Sequence, residues 1–267
     1  MISDIILSIL ILLVLLYFTV SRNDARDRII EKGLATKEKY NVVVVAGTLV
    51  YFFVTVFFMI KNNNNIFTHM ISVVSYIMIV GGFEDLTDLV ANRFMLRAGY
   101  VINYLLLIWG ITKETSADTR YFLILFGIIF LISYMIALLF FTNGIGPSDA
   151  RMLLAVAPTL LYKFKDSDFI INRENIPMSL ETIVFALLLI WFLYSLYKKQ
   201  SPFTPIILIV MYVISSSYVF KTAVISQFWL LTFIIVYMEI FKKIKKDPNA
   251  KVPLAPAIMG ITFLFLF

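Results

Sequence analysis

Long apolar runs separated by short polar ones dominate this chain. The apolar stretches at 4–20, 41–60, 66–82, 95–111, 121–141, 180–197, 204–219 and 222–241 reach or approach the roughly 20 residues a helix needs to cross a bilayer. Two shorter runs, 151–162 and 252–267, bring the expected number to ten. The pattern therefore predicts an all-α fold, a polytopic transmembrane helical bundle of about ten helices. The polar stretches 21–40 and 163–179 read as loops and 62–65 as a tight turn, so no soluble domain is expected, and no internal repeat is visible. The chain divides into 1–65, two N-terminal transmembrane helices with a basic cytoplasmic loop, and 66–267, a membrane core with two additional helices.

Composition and charge sharpen this picture. The 267 residues are 61% hydrophobic and only 15% charged, with a mean hydropathy of +0.91, values that exclude an ordinary water-soluble domain. With the N-terminus outside, 16 of the 23 lysines and arginines fall in inside loops and 7 outside, as the positive-inside rule requires. Omitting the short run at 151–162 would move Lys242, Lys243, Lys245, Lys246 and Lys251 to the wrong face, so it is kept as a membrane helix. The net charge of +6 sits in these loops, where it sets topology and meets anionic headgroups; the lipid bilayer is an expected partner and nucleic acid is not. The first run lacks a small-residue cleavage site and is followed by basic residues, which reads as a retained anchor.

The chemistry open to the chain is narrow. It has no cysteine and a single histidine, His69, which leaves little for a metal site or a thiol or serine mechanism; no metal and no cofactor is expected. Carboxylates remain. Two acidic motifs interrupt the apolar pattern, Gly82-Phe83-Glu84-Asp85-Leu86-Thr87-Asp88 and Gly144-Ile145-Gly146-Pro147-Ser148-Asp149-Ala150-Arg151. In the ten-helix order Asp85 and Asp88 follow the third span and Asp149 opens the sixth, all on the inner face. Acids beside hydrocarbon are costly unless used or satisfied, and two on one face suggest an aspartyl dyad. Such a pair shares a proton, one carboxylate activating water and the other carboxyl polarising a scissile carbonyl. Each motif also has an ordinary reading: Asp149 as a helix-capping acid after Pro147-Ser148, Gly144 and Gly146 as a turn, Asp85 and Asp88 as a solvated interfacial loop. Asp24-Ala25-Arg26-Asp27-Arg28 mimics the motif in a charge-dense, solvated stretch. Glu239 reads as an ion-pair partner of nearby lysines, and Asn103, Gln227 and Ser215 to Ser217 as interhelical hydrogen-bonding residues.

Together the motifs resemble those of the type IV prepilin peptidase and archaeal preflagellin peptidase family of GxGD membrane aspartyl proteases. Gly144 to Leu154 resembles the glycine-rich segment that ends in Gly-x-Gly-Asp, a small residue, Lys and an apolar helix. Asp85-Leu86-Thr87-Asp88-Leu89-Val90-Ala91-Asn92-Arg93-Phe94 resembles the first-aspartate motif, Asp-Leu-Arg followed by Ile-Pro-Asn. Val252-Pro253-Leu254-Ala255-Pro256 resembles the opening of the last helix. The chain departs from the pattern at Ser148 for Gly, Arg151 for Lys and Ala91 for Pro. The resemblance implies an aspartic-type endopeptidase of the cell membrane, its active site facing the cytoplasm, that cleaves the short leader of prepilin-like or preflagellin-like partner proteins. It implies Asp85 and Asp149 as catalytic residues, with Asp88 the alternative to Asp85, and Gly144, Gly146, Pro253 and Pro256 as substrate-binding positions. The missing cysteines rule out the zinc loop of bacterial relatives and favour a peptidase-only, archaeal-type enzyme. Two other classes fit acids at helix ends, a proton-coupled membrane transporter and a non-enzymatic membrane assembly protein.

Overall fold

A computed structural model describes residues 2–61, 65–140, 147–165, 233–234, 236–238, 240–247 and 252–266. All regular structure among the described residues is helical: α1 (Ile2–Ser21), α2 (Asp24–Glu31), α3 (Lys37–Lys61), α4 (Asn65–Asp88), α5 (Arg93–Lys113), α6 (Ala117–Phe140), α7 (Pro147–Lys163) and α8 (Ala255–Leu266). Four stretches are long and apolar enough to cross a membrane: α1 continued through α2, then α3, α4 and α5. The protein is a helical membrane protein. The expected spans at 180–197 and 204–219, most of 222–241, and residues Glu239, Gln227 and Ser215 to Ser217 lie outside the described residues.

The centre of the bundle is α4. Within its most apolar window 89% is buried, against 33% for α1 and α3 and 39% for α5. A helix that is apolar all round belongs in the middle of a bundle, and α3, α5, α7 and α8 all pack on it. Hydrocarbon offers no hydrophobic drive between helices, so close approach and interhelical hydrogen bonds hold them. A Cβ at Gly99 of α5 would run onto Ile77 of α4, and one at Gly110 onto the Tyr162 ring of α7. Buried Asn103 of α5 donates to the Ala155 carbonyl (2.7 Å) and Thr159 Oγ1 (3.2 Å) of α7. On the other flank Thr55 Oγ1 donates to Ser72 Oγ (2.8 Å), the Tyr51 hydroxyl to the Ser8 carbonyl (2.9 Å), and Ser8 Oγ meets His69 Nδ1 (2.9 Å).

Contacts at the two ends give each helix its direction. Asn23, Glu84, Ala91, Ser148 and Ala255 meet at one end, and Ser8, His69, Glu114 and Lys165 lie at the other. Hence α1 and α4 run parallel, as do α5 and α7, whose starts are tied by the Ala91 amide and Ser148 (3.2 Å) and whose far ends are tied by Lys165 and Glu114 (2.6 Å). Although only 17 residues long, α7 therefore passes from one end of the bundle to the other.

Sequence and structure differ at two places. The stretch 21–40 is not all loop: Asn23 Oδ1 accepts the Arg26 amide (2.8 Å) and caps α2, whose Ala25 and Ile29 are buried beneath a charged outer face. In addition, α4 continues through Asp88, so Asp85 and Asp88 are helical rather than loop residues. Leu89 then ends the helix at φ 56°, its amide bonded to the Asp85 carbonyl (2.8 Å), a left-handed conformation unusual for a side-chain-bearing residue.

The Lys165–Glu114 pair closes the end opposite the acids, outside the spans. The Lys165 ammonium holds the Glu114 carboxyl below its ordinary value of 4.5. A depressed carboxyl stabilises the fold above its unfolded value, and that stabilisation is lost as pH falls through the lower folded one. Lys165→Met is thus expected to cost about 0.5–1 kcal/mol at pH 7 and nothing well below pH 4. Thermal unfolding of the two proteins in detergent across that range reads the difference; a gap that does not close in acid would show the pair to be inert.

Candidate active site

The end of the bundle that gathers the acids is built from the last turns of α4 and the first turns of α7 and α8. Small residues set their spacing: a Cβ at Gly81 would lie 3.1 Å from Met152 of α7 and 3.2 Å from Met95 of α5, and one at Gly82 would lie 3.9 Å from Ala255 of α8. One turn beyond these glycines, buried Asp85 turns to α8, and its Oδ2 accepts the Ala255 amide at 3.2 Å. That amide opens a helix and has no partner within it, so the carboxylate satisfies an orphan donor at the favourable end of the helix dipole. Residues 252–254 are non-helical and buried Pro253 lies among them, whereas Pro256 is already the second residue of α8, where a missing N–H costs nothing.

Asp149 lies in the first turn of α7 and is also buried. Next to it, Ser148 Oγ accepts the buried Ala91 amide (3.2 Å), pinning the connection between α4 and α5 to the start of α7. This contact accounts for two departures from the resembled motif together. Proline at 91 would carry no amide hydrogen and glycine at 148 no acceptor, so the Ala91–Ser148 pair satisfies a donor that a Pro–Gly pair would not present. Ser148→Gly is expected to cost about 1–3 kcal/mol by orphaning the amide, and Ala91→Pro added to it should recover much of that loss. Strictly additive losses in thermal unfolding would disprove the coupling.

The alternative acid, Asp88, is placed elsewhere. Its Oδ1 is 2.5 Å from Lys32 Nζ, just past the end of α2, while Asp85 faces α8. Asp24 and Asp27 are largely exposed, paired with Arg93 (3.3 Å) and Arg26 (2.9 Å). Gly144 and Gly146 lie outside the described residues.

Sequence reasoning passed over Glu84. It is fully buried, and three donors converge on it: Tyr40 Oη (2.6 Å) and Asn23 Nδ2 (2.8 Å) on Oε1, and the Asn92 amide (2.7 Å) on Oε2. Asn92 in turn caps α5 by accepting the Phe94 and Met95 amides (2.9 and 3.3 Å) and donates to the Phe18 carbonyl of α1 (2.9 Å). Glu84 thereby fixes the loop 89–92 that reaches Ser148. The available signal was its place inside the acidic motif; its partners are too remote in sequence for any spacing rule to find.

No protein-family model, characterised protein or solved structure matches this chain.

Proposed function

We propose that this protein is an integral membrane aspartyl endopeptidase that removes the short leader of type IV prepilin-like or preflagellin-like proteins at the cytoplasmic face of the cell membrane. The observation that carries this reading is that two buried aspartates from segments far apart in sequence lie at the same, basic end of the bundle on helices packed against each other, Asp85 in the last turn of α4 and Asp149 in the first turn of α7. Water is the nucleophile. One carboxylate takes its proton as the oxygen attacks the scissile carbonyl carbon, and the other carboxyl donates a proton to the carbonyl oxygen. Collapse of the tetrahedral intermediate breaks the C–N bond: the carboxyl protonated in the first step gives its proton to the leaving amine, and the other carboxylate regains one from a hydroxyl of the intermediate. The substrate's apolar helix docks among the spans, and the non-helical residues 252–254 with Pro253 and Pro256 border the cleavage segment, together with Gly144 and Gly146.

The test is incubation of the purified protein in detergent with a single-span peptide carrying a short basic leader, with products sized by mass. Cleavage at the leader junction by wild type is the expected result. Cleavage that persists undiminished in both Asp85→Asn and Asp149→Asn proteins excludes the dyad.

A further inference from the structure

A second feature at the same end of the bundle is independent of proteolysis. Arg93 and Arg97 are one turn apart at the start of α5 and share a face. Because α5 and α7 start together and pack side by side, Arg151 of α7 joins them, within electrostatic reach of both. Arg93 pairs with Asp24, but among the described residues neither Arg97 nor half-buried Arg151 makes an ion pair. Three guanidinium groups beside the single carboxylate of Asp24 leave an excess of positive charge that a bound anion would offset. Below Arg97, α5 exposes an apolar stripe at Val101, Leu105 and Ile108 (46%, 59% and 56%), continuing the same face toward the other end of the bundle.

We infer that Arg93, Arg97 and Arg151 bind the headgroup phosphate of an anionic phospholipid whose acyl chain lies along Val101, Leu105 and Ile108. Guanidinium groups match phosphate oxygens with paired hydrogen bonds and lose little hydration in doing so. The stripe selects a lipid over a free phosphate ion, since it rewards only a ligand with a hydrocarbon tail. An anionic headgroup is favoured over a zwitterionic one because the latter brings its own ammonium into a site already in excess positive charge.

The experiment uses the full chain in detergent micelles supplemented with phosphatidylcholine, alone or with phosphatidylglycerol, with native mass spectrometry counting retained lipid. Wild type is expected to retain phosphatidylglycerol preferentially, and Arg97→Gln with Arg151→Gln to weaken that retention roughly thirtyfold. Lys37→Gln with Lys39→Gln removes the same charge from exposed positions at the start of α3 and is expected to leave retention unchanged. Equal losses in the two double variants would reduce the effect to general attraction and overturn the site. Absence of preference in wild type, or equal thermal stabilisation by inorganic phosphate, would overturn it too. Should the glutamine variant not fold, Arg97→Lys with Arg151→Lys keeps the charge but removes the paired geometry; a several-fold loss of retention is expected, and none would refute the assignment.

Discussion

On the proposed peptidase mechanism, asparagine at either Asp85 or Asp149 is expected to slow leader cleavage by about a thousandfold or more, while Asp88→Asn stays within a few-fold of wild type. The argument is one of chemistry at nearly constant shape. An asparagine amide oxygen at position 85 still accepts the Ala255 amide, so the start of α8 keeps its partner, yet the side chain can neither take nor give a proton in the reaction. At 149 the same exchange leaves the helix start with a polar side chain and removes the second titrating group. Asp88 differs because its carboxylate, itself only 8% exposed, is held by the half-exposed Lys32 rather than turned to α8. Rates for the three variants, each checked for an unchanged helical spectrum, decide the point. A drop at Asp88 as deep as that at Asp149, with Asp85→Asn active, would move the first acid one turn along α4.

Glu84→Ala is expected to be the most damaging single change in the described part of the protein, lowering stability by about 3–5 kcal/mol. It strands three donors, the Tyr40 hydroxyl, the Asn23 side-chain amide and the Asn92 backbone N–H, at a fully buried position. Glu84→Gln keeps the volume but sets an NH2 group against donors, so a loss of about 1–3 kcal/mol is expected despite the close likeness of shape. Tyr40→Phe removes one donor and should cost less than either, and combined with Glu84→Ala it should add little. Unfolding midpoints in detergent, taken as a double-mutant cycle, measure the coupling. If the Glu84 and Tyr40 losses simply sum, the carboxylate is not the hub that ties the start of α2, α3 and the 89–92 loop together.

Much of this architecture could be read from hydropathy. The apolar runs at 4–20, 41–60, 66–82, 95–111 and 121–141 each lie within an observed helix or within one residue of its end, because leaving water for lipid forces the backbone to close its own hydrogen bonds. Pro147-Ser148-Asp149 before an apolar run marks the start of α7, and the charge asymmetry that required 151–162 to cross agrees with an α7 tied at both ends to α5. Hydropathy carries no signal where polar residues are buried. Hydropathy falls at Glu84 and Asp85 and so places the end of the span near 82, yet α4 continues because donors from α8, Asn23 and Tyr40 satisfy those acids inside the bundle. The charged stretch after α1 likewise hid α2, whose two inward residues are too few to register as a pattern.

Residue order was sufficient for the helical class, the approximate span limits and the one face on which acids and arginines collect, because each follows from how individual side chains partition between water and lipid. Which carboxylate meets which donor was settled only by packing: Asp85 against α8, Asp88 against Lys32, Glu84 among groups up to 61 positions away. Partition acts on one residue at a time. Satisfying a buried acid takes groups brought together from several helices, and no local spacing encodes that encounter.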